Sequence, residues 1–154
     1  MFAAIRRRAF SLIELVIVVV IIGIIGAIAI PRMSRGAEGA ADSAVKANIA
    51  VLRNAIDLYK TEQGAYPTVA KFVDQLTTYT DGSGNTQATK DTTYVYGPYL
   101  RAVPPLPVGP QKGLSKVAAA AAADVGWVYN ETTGAITPNT GTLTDAKGVK
   151  YTDY

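Results

Sequence analysis

The chain contains no cysteine and no histidine among its 154 residues. Without cysteine there is no disulfide framework, no thiolate metal site and no cysteine nucleophile. Without histidine, His-based triads, HExxH zinc chemistry and a histidine pH switch are excluded as well. Net charge is also small. The formal value is +3, and Arg6, Arg7 and Arg8 account for all of it, because the remaining bases and acids balance at 12 each. The basic pI therefore implies no nucleic-acid-binding surface, and no nucleic-acid partner is expected. No phosphate loop, nucleophile elbow or convincing acid/base carboxylate pair occurs, so no enzymatic activity is expected. The length suits one domain, and a small one if any segment leaves for a membrane.

What the chain does have is a long apolar run. Leu15 to Ile30 is unbroken Val, Ile, Leu, Ala and Gly, and Leu12-Ile13 extend it toward the N-terminus. At 1.5 Å per residue, Leu12 to Ile30 spans roughly 28 Å as a helix, close to the hydrocarbon thickness of a bilayer. No face of that helix is reserved for water. The Arg6–Arg8 cluster precedes it and, by the positive-inside rule, keeps the N-terminus cytoplasmic against the weaker counter-signal of Arg32 and Arg35. Three readings of this segment compete. Ala27-Ile28-Ala29 fits a cleaved secretory signal, and Arg7-Arg8-Ala9-Phe10-Ser11-Leu12 fits a twin-arginine signal. Both leave Glu14 unexplained. A carboxylate inside such a run costs about 2.5–3.5 kcal/mol on insertion scales, so it should have a partner.

The third reading supplies one. Residues 8–31, Arg-Ala-Phe-Ser-Leu-Ile-Glu-Leu-Val-Ile-Val-Val-Val-Ile-Ile-Gly-Ile-Ile-Gly-Ala-Ile-Ala-Ile-Pro, closely resemble the N-terminal segment of type IV pilins and type II secretion pseudopilins. The resemblance implies that a prepilin peptidase removes a basic leader between Ala9 and Phe10 and that the new amine of Phe10 is methylated. It also places the family's conserved-type carboxylate on Glu14, its helix glycine on Gly23 and its helix-breaking proline on Pro31. Ala9 departs from the glycine usual before the cut. After cleavage the Phe10 amine lies one helical turn from Glu14, and opposite charges paired in hydrocarbon are far less unfavourable than either alone. Glu14 of one subunit meeting the Phe10 amine of its neighbour would set the axial register of a filament.

Beyond the run, Val45, Ile49, Leu52, Ile56 and Tyr59 form one apolar stripe at helical spacing over 34–63. Lys46, Arg53, Asp57 and Lys60 occupy the other side, with Arg53–Asp57 and Asp57–Lys60 spaced for ion pairs. Gly64 and Pro67 end the helix. The glycines and Pro31 in its first half favour local kinking. The rest reads as a connection over 68–76, an exposed polar loop over 77–93, and a strand at Tyr94–Tyr96. A Pro-rich stretch over 98–110 excludes helix, and the alanines of 118–123 favour helix but are too few to sustain one. Strands follow at Gly126–Asn130 and Ala135–Asn139, with a weaker pair around Asp145–Gly148. Three or four antiparallel strands should pack on the stripe, with Trp127, Tyr59 and Tyr66 as packing residues.

The expected class is α+β and pilin-like, a long N-terminal helix on a small antiparallel sheet. Its parts are a leader over 1–9, a membrane and assembly helix over 10–31, an amphipathic helix over 32–64 and a loop-rich β domain over 65–154. The layout resembles a major secretion pseudopilin more than a disulfide-looped pilin. That resemblance implies a homopolymer in the inner membrane, with the soluble domain in the periplasm or in an extracytoplasmic filament. Its implied partners are prepilin peptidase, an inner-membrane assembly platform, minor pseudopilins and membrane lipid. The alternative is a major or minor type IV pilin serving adhesion, motility or DNA uptake. No cofactor is required. The resemblance raises calcium near the C-terminus, for which Asp124, Asp145 and Asp153 are weak candidates without the family's acidic signature. Asp81-Gly82-Ser83-Gly84-Asn85 imitates half a calcium loop, but Thr86 and Thr92 stand where Gly and Glu are needed.

Overall fold

The computed structural model describes residues 10–154, with the side chains of 28–37 outside the description. The leader residues Arg6–Ala9 and the Pro31 side chain therefore lie outside the described residues. Contacts divide the chain into two units, Met1–Ala37 and Glu38–Tyr154. Helix α1 is assigned without interruption over Leu12–Gln63. The helix has no break in its first half, where local kinking was expected. The helix stops where the sequence places the stop: Gly64 has φ 76°, and its N–H donates to the Lys60 carbonyl at 2.8 Å. A left-handed residue after the last turn is most easily supplied by glycine.

In the second unit α1 presents the anticipated stripe. Val45, Ile49, Leu52, Ile56 and Tyr59 are all buried and join Phe72, Leu76, Leu106, Trp127, Tyr129 and Ile136 in one core. Full burial of a Leu or Ile side chain contributes about 1.5–3 kcal/mol, so this stripe is a principal source of the unit's stability. The Pro-rich stretch adds Leu100, Val103 and Leu106 to the same core. Their spacing of three is the repeat of an extended, polyproline-like chain, which can bury one row without helix. Trp127 Nε1 donates to the Pro104 carbonyl at 2.8 Å, so the indole is buried with its one donor satisfied.

A 3-10 turn at Val69–Lys71 leads into α2, Phe72–Thr77. Two small sheets follow. One pairs β1 (Tyr79–Thr80) with β2 (Thr86–Gln87); the other has the order β3 (Val117–Ala118), β4 (Trp127–Tyr129), β5 (Ile136–Pro138). The β4–β5 hairpin is antiparallel, with Val128 opposite Thr137. The class is α+β as expected, a long N-terminal helix followed by a small antiparallel sheet with further strands.

Several details differ from the sequence expectation. The alanine run forms no helix, as its length implies, but its start pairs with β4 as a parallel strand, Val117 opposite Trp127, where only antiparallel strands were expected. Six alanines are too few to hold a helix by propensity alone, and the Lys116 carbonyl, accepting from Gly126 and Trp127 N–H, anchors the chain in strand geometry. The 77–93 segment is no simple exposed loop, because it holds β1 and β2 and buries Thr80 completely. The Tyr94–Tyr96 strand reduces to a single bridge, Thr80 to Tyr96, and the tail pair to the bridge Thr144 to Lys150. Neither expected helix-surface ion pair forms among the described residues, whose ion pairs are Lys46–Asp145 and Lys116–Asp124.

Candidate functional site

The site begins at the start of α1. Ser11 is the residue before the first helical position, and its carbonyl accepts from Leu15 N–H at 3.2 Å. Glu14, three residues on, reaches back and accepts the Ser11 N–H through Oε2 at 2.9 Å. Ser-x-x-Glu is the sequence of a capping box, and the carboxylate satisfies a donor that the helix itself leaves open. It also places negative charge at the positive end of the helix dipole, an effect of about 0.3–1 kcal/mol at exposed sites. The sequence reading missed this role. The Ser11–Glu14 spacing carried the signal, but the apolar surroundings drew attention to the membrane instead. In the uncut chain Phe10 has a peptide nitrogen and no amine, so the Ser11 amide is the partner that Glu14 has.

Around and beyond this cap the surface is apolar on every side. Phe10 is 82% exposed, and none of the large side chains from Leu12 to Ile25 falls below 47%. Gly23 and Gly26 stand in open space, since a methyl group built on either meets nothing within 4 Å. Among the described residues no packing demands their small size. Among the described residues no helix is long and apolar enough to cross a membrane. The described side chains of the run end at residue 27, and Ile28, Ala29 and Ile30 continue it in the sequence.

Two family models match the chain. Residues 5–30 match the prokaryotic N-terminal methylation motif, and residues 32–126 match type II secretion system, protein G. The second match spans well over half of the sequence. The chain belongs to the type II secretion system protein G family. It is a pilin-like pseudopilin. No curated protein and no solved structure matches it significantly.

The acidic residues that the pseudopilin resemblance brought forward for calcium are not brought together. Among the described residues no group of three or more Asp, Glu, His or Cys side chains could hold a metal ion. Asp124 is paired with Lys116, which accounts first for its lowered pKa. Asp153 accepts from Thr152 Oγ1 at 3.2 Å. Asp145 closes a turn: its Oδ1 accepts the Lys147 and Val149 amides at 2.8 and 2.9 Å, and its Oδ2 accepts the Tyr154 hydroxyl at 2.6 Å. That hydroxyl is the main reason its carboxyl is held below the usual range. Asp81 is likewise consumed by its own loop, accepting from Ser83 N–H, Asn85 N–H and Asn85 Nδ2, each at 2.9 Å. Asp81 and Asp145 are turn-forming carboxylates, each bonded within its own loop. Calcium takes six to eight oxygens, and among the described residues these carboxylates do not converge on one point.

Of the aromatic residues singled out by sequence, Trp127 and Tyr59 lie in the core and Tyr66 packs against it. Lys60 caps Tyr66 from the helix, its Nζ accepted by the phenol oxygen at 2.9 Å and 4.1 Å from the ring centre.

Proposed function

We propose that this pseudopilin is a structural subunit of a type II secretion pseudopilus, polymerising through its N-terminal helix to drive protein export. The observation that carries the proposal is the bare apolar segment from Phe10 to Ile25, exposed on all sides in a chain whose other half has a complete core. Such a surface needs lipid or other helices around it. Lipid holds the subunit in the inner membrane, N-terminus in and soluble domain out, before assembly. Copies of the same helix replace lipid afterwards. Gly23 and Gly26, which the fold itself does not require, suit the close approach of a neighbouring helix.

In this reading prepilin peptidase cuts between Ala9 and Phe10 and methylates the new amine. Arg6–Arg8 hold the leader on the cytoplasmic side, where the peptidase and the assembly platform act. Glu14 then changes partner. A carboxylate accepts more than one donor, and the Phe10 amine of an adjacent subunit is the charged donor that a buried Glu14 needs. Pro31 marks the far end of the assembly segment, and minor pseudopilins would share the same contacts.

Glu14→Val separates insertion from assembly. Removing a charge from the run makes insertion easier, while the filament loses its ion pair. The expected result is normal membrane-fraction protein with sheared fibres reduced at least tenfold. A Val variant that inserts, is processed and yields fibres at the wild-type level contradicts the pairing.

A further inference from the structure

The tail from Leu143 to Tyr154 lies outside the stretch matched to the protein G family, and it is fastened to α1 by a distinctive set of contacts. Asp42 on α1 accepts the Tyr151 hydroxyl through Oδ1 and the Ala146 amide through Oδ2, the latter at 3.1 Å. Asp145 accepts the Tyr154 hydroxyl, and its nearly buried carboxylate has the Lys46 ammonium 4.0 Å away. The same Lys46 Nζ sits 4.4 Å from the centre of the Tyr154 ring. Arg53, one turn beyond Ile49 on α1, donates to the Tyr154 carbonyl at 2.5 Å. The Tyr151 and Tyr154 rings meet edge to face at 5.5 Å, and Tyr151 belongs to the core.

Asp42 and Asp145 are therefore each bonded by a phenol and by backbone N–H, with Glu38 lining the same cleft, and the positive charge beside Asp145 comes from the chain itself. We infer that Lys46 is the internal cation of a metal-free latch: its ammonium and the acid–phenol pairs Asp42–Tyr151 and Asp145–Tyr154 hold the tail on α1 with no metal ion needed. The inference concerns the tail alone and stands whether or not the subunit polymerises. A buried carboxylate without a positive or hydrogen-bonded partner is strongly disfavoured, so removing Lys46 loosens the tail, whereas removing calcium does nothing. The stem of Lys46 also packs on Tyr154, which makes methionine the appropriate replacement because it keeps the apolar contact and deletes the charge.

The test is hydrogen exchange by mass spectrometry on the full chain in detergent micelles, reading peptides over 143–154. Wild-type protein in EDTA and in millimolar calcium chloride should give the same protection, within about twofold. Lys46→Met should speed tail exchange about tenfold, a 1.4 kcal/mol opening difference, in both solutions. Tyr154→Phe, which keeps the ring and deletes the hydroxyl, should fall between the two while the Trp127 emission of each variant stays at the wild-type wavelength. Faster tail exchange of the wild type in EDTA overturns the inference. So does a Lys46→Met tail as well protected as the wild type.

Discussion

Leu52→Ala is the most direct probe of how the soluble unit is held together. Leu52 is fully buried on the α1 stripe, within the cluster that includes Trp127 and Leu106. The substitution removes three carbons. At about 0.8 kcal/mol per methylene the transfer loss alone is about 2.4 kcal/mol, and the cavity left in a packed core raises the total to about 2–5 kcal/mol. Native domains have only about 5–15 kcal/mol to lose. Its neighbour Val51 is 48% exposed on the same helix and provides the control. Val51→Ala should change stability by no more than about 0.5 kcal/mol, since alanine also favours helix. The assay is urea unfolding of the full chain in micelles, followed by the emission of the single tryptophan, Trp127. With a slope of about 2 kcal/mol per molar urea, the Leu52→Ala midpoint should fall by about 1–2.5 M. Coincident midpoints for the two variants would mean that the stripe faces something other than its own domain, and the core described above would be wrong.

The turn between β4 and β5 gives a second test. Gly134 has φ 74°, and a methyl group there would lie 2.2 Å from Tyr66 Cε1, whereas one at Gly113, φ 90°, meets nothing within 4 Å. Gly113→Ala should cost only backbone strain of about 1 kcal/mol, and Gly134→Ala at least about 2 kcal/mol, compared by the same urea titration. Alkaline pH gives a third. Burial pushes the Tyr99 and Tyr151 phenols from 10.0 up to about 12, so the unfolded chain ionises first. Their stabilisation is complete below pH 10 and is lost as pH rises toward about 12. Melting temperature should be level up to pH 10 and fall steeply above it, with a shallower fall in Tyr151→Phe; a flat profile to pH 12 would contradict the burial of these hydroxyls.

Periodicity was enough to read the α1 stripe, because all five of its residues obey one helical repeat and all five are buried. The helix stop at Gly64 and the β4–β5 hairpin were equally legible, since local turn chemistry specifies both. The parallel pairing of β3 was not. Alanine has no strong strand preference, and only the capture of Gly126 and Trp127 amides by the Lys116 carbonyl, a tertiary event, determines its course. Thr80 was unreadable for a similar reason. A polar residue in a Thr-rich stretch gains complete burial from bonds to distant partners, Gln63 Nε2 at 2.9 Å and the Tyr96 backbone. Buried Gln75 is another such tether, joining Thr68 N–H to the Gly84 carbonyl. At the candidate site, motif order pointed to Phe10 and Glu14, but the cap that Glu14 makes with Ser11 emerged only with the geometry.

The central claim is that this chain is cut and used as a pseudopilin, and the mature N-terminus tests it most directly. Mass spectrometry of protein purified from membranes of cells carrying a prepilin peptidase should find the chain beginning at Phe10 with a methylated amine. A mature chain beginning at Ile30, after the Ala27-Ile28-Ala29 sequence, would identify an ordinary signal peptide and contradict the account.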